Sequence, residues 1–454
     1  MEPAHLRFGG GSAETILNPL VAVWLVIAIV LILAVPRRKL ITCFLLSCLC
    51  IPVAQVVVLG GVHFTVLRLL IIAGLLRRGS SSGGKFAGGF NGVDRVVVLW
   101  TISASTVLSL QWMNMDSLVH NLGDFLDALG GFLVVRFLVT DRDSIRRTIR
   151  VLAVVCIIQG VCMINEQVTH VNVFGYLGGH TWITVRDGKI RSEGVMGCLY
   201  AGVFGGASIP LFVWLWKERK SRVTACAGLV GATAMTITSN SSSSLLALYG
   251  SLLGLAFWPL RRRMGLVRWA FSLTLVALHM AMKGPVWALI ARVDLTGSSS
   301  GYHRYYLLDN CIRHFSDWWL LGYRYYNDWG YDMWDLCNQF VVAALTGGLV
   351  TLIFYIAIFS RSFGAIGKAI KQVNGRRREE WLLWCLGSAL FANVVAHFGI
   401  NYMAQMVMTL FPLLACISVA RLELKQALVG NEEQSQEPVA SPVSAPECVS
   451  WLTP

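Results

Sequence analysis

The sequence predicts an all-α, polytopic membrane protein. Two compositional facts and one pattern carry that reading. Of 454 residues, 55% are hydrophobic and only 14% are charged, and the mean hydropathy is +0.61; a soluble domain carries about 25% charged residues. The pattern is the recurrence of apolar runs close to the roughly 20 residues that a helix needs to cross a bilayer. Thirteen are read, at 16–35, 41–60, 62–76, 96–112, 118–139, 151–167, 196–215, 223–239, 243–260, 266–283, 339–360, 381–399 and 403–420. The expected fold is therefore about 12–13 transmembrane helices with a long outer loop that carries short helices.

The first run is too long for a signal-peptide core. It is followed by "PRRK", where a cleavage site would show small residues, so it reads as a permanent span behind an outer N-terminal segment, 1–15. The polytopic domain then runs over 16–425. Within it, "RRGSSSGGKFAGGFNG" has the composition of a flexible linker. The stretch 426–454, rich in Pro, Ser and Glu, reads as a disordered tail. No internal repeat is visible.

Charge sets the orientation. With the loop 36–40 placed in the cytoplasm and sides alternating from there, cytoplasmic segments hold 27 Lys and Arg and outer segments hold 9. That is the bias of the positive-inside rule, with the N-terminus outside and the C-terminus inside. The net charge of +13 is thereby mostly topological anchoring, and nucleic acid is not an expected partner. Most cysteines lie in apolar runs, where cysteine behaves as a small hydrophobe. Cys311 and Cys337 fall in the long outer loop and are the one pair placed to form a disulfide on an oxidising side.

Two outer loops, 168–195 and 284–338, carry arginines on the side where arginine should be scarce. The first holds Arg186, Lys189 and Arg191 just before the seventh run. They read either as solvated interfacial anchors or as an anion site for a phosphate-bearing lipid, since arginine grips phosphate oxygens bidentately. The second gathers, between Gly297 and Gln339, three arginines, two histidines, five aspartates, seven tyrosines and four tryptophans. An aromatic belt at the lipid–water interface accounts for many of the rings; packing against sugar rings is the other reading. A belt does not account for Arg304, Arg313 and Arg324, or for the aspartates among them. "SSSGYHRYYLLDNCIRHF" suits an amphipathic helix with Tyr302, Tyr306 and Asp309 near one face and His303, Arg304 and Arg313 around it. In "WDLCNQFVVAALTGGL", Asp335 and Asn338 stand one helical turn apart at the outer mouth of the eleventh run. Asp335 reads either as an N-cap or as a catalytic or ligand-binding group. Arg68 and Arg136 lie inside runs, where an ionisable residue is a functional candidate or pairs with a neighbour such as Asp124 or Asp127.

The order of these pieces resembles the O-antigen ligase and polymerase superfamily of bacterial inner-membrane glycan-joining proteins. The pieces are "RSEGVMG" with Arg191 and Gly194, "SSSGYHRYYLL" with Arg304, "WLLGYRYY" with Gly322, and "DLCNQFVVAALTGGL" with Asp335, Asn338, Gly347 and Gly348. "FTVLRLLIIAGLLR" with Arg68 and "FLVVRFLVTDRDSIRRTIR" with Arg136 look like further family segments. The likeness spans about residues 15–420 and rests on order more than on any one string. It departs from the family at Asn240, in "TSNSSSSLLAL", where an arginine is common. It departs again at Cys337, where the ligase branch has a histidine before the asparagine. The second departure favours a polymerase over a ligase.

The resemblance implies a GT-C-like fold. It also implies a substrate, an oligosaccharide on a polyprenyl diphosphate, joined to an acceptor sugar hydroxyl in cell-surface polysaccharide synthesis. The place implied is the bacterial inner membrane, beside further polysaccharide assembly proteins. A departing diphosphate needs positive charge, and the sequence shows neither HExxH nor a DxD with a supporting histidine, so no metal and no cofactor are expected. By the same resemblance, Arg191 and Arg304 are expected to stabilise the leaving group, with Asp335 as base for the acceptor. Arg186, His303, Arg313, His314, Arg324, Asn338 and Arg68 are expected to bind substrate. The competing classes are a ligase acting on a lipid A core, a flippase of the same lipid-linked sugars, and a membrane scaffold.

Overall fold

The computed structural model describes residues 15–53, 55–80, 86–179, 183–292, 300–373 and 375–420. The tail, the first fourteen residues and the middle of the Gly/Ser linker lie outside the described residues. The chain is mostly helical. In order it forms α1 (Pro19–Ala34), α2 (Arg37–Cys50), strands β1 (Val56–Leu59) and β2 (Val62–Thr65), α3 (Val66–Gly79), α4 (Gly92–Trp112), α5 (Met115–Phe125), α6 (Gly131–Leu138) and α7 (Arg142–Thr169). Strands β3 (Thr184–Arg186) and β4 (Lys189–Arg191) lead into α8 (Cys198–Lys217), α9 (Arg222–Thr238), α10 (Ser242–Ala256) and α11 (Met264–Ala281). The chain ends with α12 (Ser300–Arg313), α13 (Phe315–Trp318), α14 (Gln339–Val373), α15 (Arg377–Ala396) and α16 (Val407–Ala420).

Among the described residues six helical stretches are long and apolar enough to cross a membrane: Gly92–Trp112, Met115–Leu138, Arg142–Thr169, Cys198–Lys217, Trp258–Ala281 and Gln339–Val373. The shorter apolar helices are α1, α10 and α16. Every apolar run of the sequence contains a helix, but among the described residues only six of the 12–13 expected spans are matched by helices long and apolar enough to cross a membrane, and two of the others are joined by strands. The runs 41–60 and 62–76 give α2 and α3, 14 residues each, or about 21 Å, against about 30 Å of hydrocarbon. Their facing ends are an antiparallel hairpin in which Leu59 pairs with Val62. The cause is local: "VVVLGGVHFT" is a β-branched run around a two-residue Gly60–Gly61 loop. Both glycines sit at positive φ, as a type I′ turn requires.

Small residues let the central helices approach closely. Helices α7 and α9 cross at Gly160 and Gly231, where a Cβ on Gly160 would lie 2.7 Å from the Gly231 carbonyl oxygen. Helices α8, α10 and α15 complete this central layer, while α4 packs along α14. Helix α14 is broken near its start. Gly348 sits at φ +68°, and a Cβ there would come 2.6 Å from the Leu320 carbonyl oxygen. The loop after α13 docks into the break: Leu349 N–H donates to Trp319 O, and Tyr323 N–H donates to Leu345 O, each at 2.8 Å. Gln111 Nε2 of α4 also donates to Leu345 O at 2.9 Å. Irregular backbone in a span needs such internal partners.

One of the two sequence readings of Asp335 is corrected. Asp335 does not cap α14; Asn338 does, its Oδ1 accepting from Phe340 N (2.9 Å) and Val341 N (3.3 Å). Helix α12 buries Arg304, Leu307, Asp309 and Cys311 and turns Tyr302 out, packing against a second apolar cluster that contains Trp318, Met333, Val341, Ala344 and Leu345. Cys311 and Cys337 are both free thiols.

Candidate functional site

The segment between β4 and α8 is shaped by a buried carboxylate. Glu166, near the end of α7, accepts from Glu193 N (2.9 Å) and Gly194 N (3.0 Å). Gln159 Oε1 accepts from Val195 N at 3.1 Å. Gly194 and Gly197 take positive φ, so "SEGVMG" forms a tight irregular turn. This turn and the first residues of α8, through Tyr200, line one wall of a cleft of about 280 Å³; Pro52, Val53, Phe174 and Gly179 form the other. Arg191 and Asp335 both come close to this wall, Arg191 within electrostatic reach of Cys198 and Asp335 within reach of Tyr200. Tyr200 donates to Asn401 Oδ1 at 3.0 Å.

Arg191 is 9% exposed, and its Nε is buried without a partner. Among the described residues its guanidinium makes no hydrogen bond and no ion pair. It lies beside the turn between α9 and α10. Ser192 N–H donates to Thr238 O at 3.0 Å, and Asn240 Nδ2 donates to Ile190 O at 2.6 Å. Asn240 thus ties β4 down. The same turn holds the second arginine. Arg304, 6% exposed, donates from Nη2 to Ser243 Oγ at 3.0 Å, and Ser243 in turn donates to Gly399 O at 2.7 Å. A Cβ on Gly399 would lie 3.3 Å from the Arg304 guanidinium carbon.

His303 meets Asp335 beside Arg304. The His303 Nε2 lies 2.9 Å from the Asp335 carbonyl oxygen and 3.9 Å from its carboxylate. Burial pushes the Cys337 thiol up to about 12; the Asp335 carboxylate adds to the rise and the Arg304 guanidinium opposes it. The thiol is therefore protonated at neutral pH. His303, Arg304, Asp335, Cys337 and Asn338 thus form one cluster, with Arg191 across the serine turn.

The other residues singled out from sequence lie elsewhere and have local partners. Arg186 is half exposed beside Asp187, at 3.9 Å. Arg313 pairs with Asp309 at 2.7 Å. His314 lies 3.1 Å from Asp317 and stacks on Trp329. Arg324 donates to Gln111 O at 3.2 Å and packs against Trp112 and Tyr325. Arg68 is buried against Asp127 at 2.8 Å and Asp124 at 3.6 Å, and Asp127 sits in the π-helical turn Leu126–Gly130 that joins α5 to α6. Sequence reasoning missed Glu166, Ser243 and His397. Glu166 carried a usable signal, being an acid within an apolar run. His397 is buried in a polar knot with Tyr355 (2.6 Å), and its carbonyl accepts from Gln339 N at 2.9 Å. No protein-family model matches the chain, and no curated protein matches it either.

Proposed function

We propose that the protein is a membrane glycosyltransferase that joins or polymerises polyprenyl-diphosphate-linked glycans, without a metal, during cell-surface polysaccharide synthesis. The observation that carries the reading is Arg191: a buried guanidinium with no ion pair among the described residues, next to a cleft of ligand size. An uncompensated buried charge is costly to hold, and a phosphate oxygen pair is the natural complement of a guanidinium. In this reading Arg191 and Arg304 face a departing diphosphate, where fixed cations in a dry site stabilise developing charge. Asp335, half exposed and beside His303, takes the proton from the acceptor hydroxyl. The acceptor attacks the anomeric carbon, the glycosidic bond to the diphosphate breaks, and polyprenyl diphosphate leaves. The site would face outward from a bacterial inner membrane, with further polysaccharide assembly proteins as partners and the C-terminus in the cytoplasm.

One observation favours a second reading. The break in α14 at Gly348 is the kind of discontinuity found in transporters, so a flippase of the same lipid-linked sugars is the alternative. The test is the full chain in liposomes given a polyprenyl diphosphate oligosaccharide. Longer glycans with released polyprenyl diphosphate are expected. Movement of the lipid across the bilayer with no new glycosidic bond would overturn the transferase in favour of the flippase. Adding a lipid A core as acceptor separates polymerase from ligase.

A further inference from the structure

The cluster beside Arg304 holds a second chemistry. His303 sits in the first turn of α12, while Asp335 and Cys337 come from the segment that enters α14. A ring nitrogen of His303, a carboxylate oxygen of Asp335 and the Cys337 sulfur all lie within 4.8 Å of one another. These are one nitrogen, one oxygen and one sulfur donor, drawn from two elements some thirty residues apart. We propose that His303, Asp335 and Cys337 form a binding site for a zinc-class divalent cation, with a fourth position open to water or ligand.

The donor set decides the class of ion. Sulfur and imidazole together select zinc and the late first-row metals over magnesium and calcium, which want oxygen. A tetrahedral zinc ion with bonds of about 2.0–2.3 Å places its donors roughly 3.3–3.8 Å apart. The Nε2-to-carboxylate separation is 3.9 Å and all three donors lie within 4.8 Å of one another, so contraction of at most roughly 1.5 Å closes the triad on an ion. Three protein donors and one open position is the pattern of a reactive or exchangeable site; a closed structural site would have four. Access exists, since the Asp335 side chain is 56% exposed and that of His303 is 22% exposed. Binding would release the Cys337 proton to solvent and take up neutral imidazole and the carboxylate. The Arg304 guanidinium nearby opposes a cation, and the thiolate and carboxylate charges offset it.

The site does not depend on the transferase reading, but it bears on it. An ion held by Asp335 would occupy the carboxylate assigned as base, so metal loading and glycan transfer would compete. The test is a titration of the detergent-solubilised full chain, stripped of metal, with cobalt(II). A sulfur-to-cobalt charge-transfer band that saturates at about one equivalent is expected, and zinc should displace it. Cys337→Ser should abolish the band, and His303→Ala and Asp335→Asn should each weaken binding at least about tenfold. Thermal melting of each variant establishes that it is folded. No charge-transfer band in the wild type would overturn the proposal, and so would a band of undiminished strength in a folded Cys337→Ser variant. Neither outcome touches glycan transfer, whose failure is read in the liposome assay alone.

Discussion

Two sets of arginines in the helix bundle are handled in opposite ways. In one set arginines meet carboxylates. Arg146 pairs with Glu218 at 2.9 Å, Arg142 reaches Glu379, and Arg261 and Arg262 hold Glu380 at 2.9 and 3.1 Å. Arg136 meets Asp94 at 3.1 Å with both side chains fully buried. In the other set Arg191 is buried with no ion pair among the described residues, and Arg304 leans on the Ser243 hydroxyl. The first set neutralises itself and needs nothing further. Arg191 holds its charge without an ion pair among the described residues, which costs stability. Both sets were visible as arginines in the sequence; only the placement of partners separates them.

The contrast breaks first at its most buried pair. Asp94→Ala strands the Arg136 guanidinium and removes the Asn91 cap partner. It should cost roughly 3–5 kcal/mol, read as a collapsed melting temperature in detergent. Arg191→Ala should do the reverse: little change in melting, with glycan transfer down roughly 100- to 1,000-fold. A large fall in stability with unaltered turnover would reassign Arg191 to the structural class. Gly348→Ala tests the break in α14 that seats the 319–323 loop. Strain at a positive φ of about 1–3 kcal/mol, together with the clash against Leu320, should loosen the loop and be read as faster proteolysis between α13 and α14. Cys337 should resist alkylation at pH 7–8 and react only in strongly alkaline solution. Its proton is held more tightly in the fold than in the unfolded chain, so raising the pH toward 12 removes stability. The smallest effect is expected at Arg313, whose side chain is 70% exposed beside Asp309; Arg313→Ala should leave both stability and transfer nearly unchanged.

Hydropathy made the helical class legible, because every apolar run contains a helix. It was blind to the hairpin at Gly60–Gly61, although the two-glycine loop between β-branched runs was in plain view; averaging over about 20 residues hid a feature half that length. The Gly347–Gly348 pair was visible only as part of a family-like segment. The positive φ at Gly348 is set by a loop from a distant part of the chain, and periodicity carries no trace of that. Within the site, Arg191 and Arg304 stood out because they lie in loops read as outer, against the charge bias, and Asp335 because it stands one helical turn before Asn338. Their neighbours did not: Ser243 is one serine in a run of them, and its bond to Arg304 spans 61 positions. Asp335 and Asn338 illustrate the limit, since either side chain can cap a helix and only the observed bonds choose Asn338.

The most direct measurement is single-turnover release of polyprenyl diphosphate by wild-type and Arg191→Ala protein in the same liposomes, each shown by melting to be folded. Release and glycan lengthening are expected in the wild type, with a loss of at least about 100-fold in the variant. Equal release from both proteins would contradict the role given to Arg191.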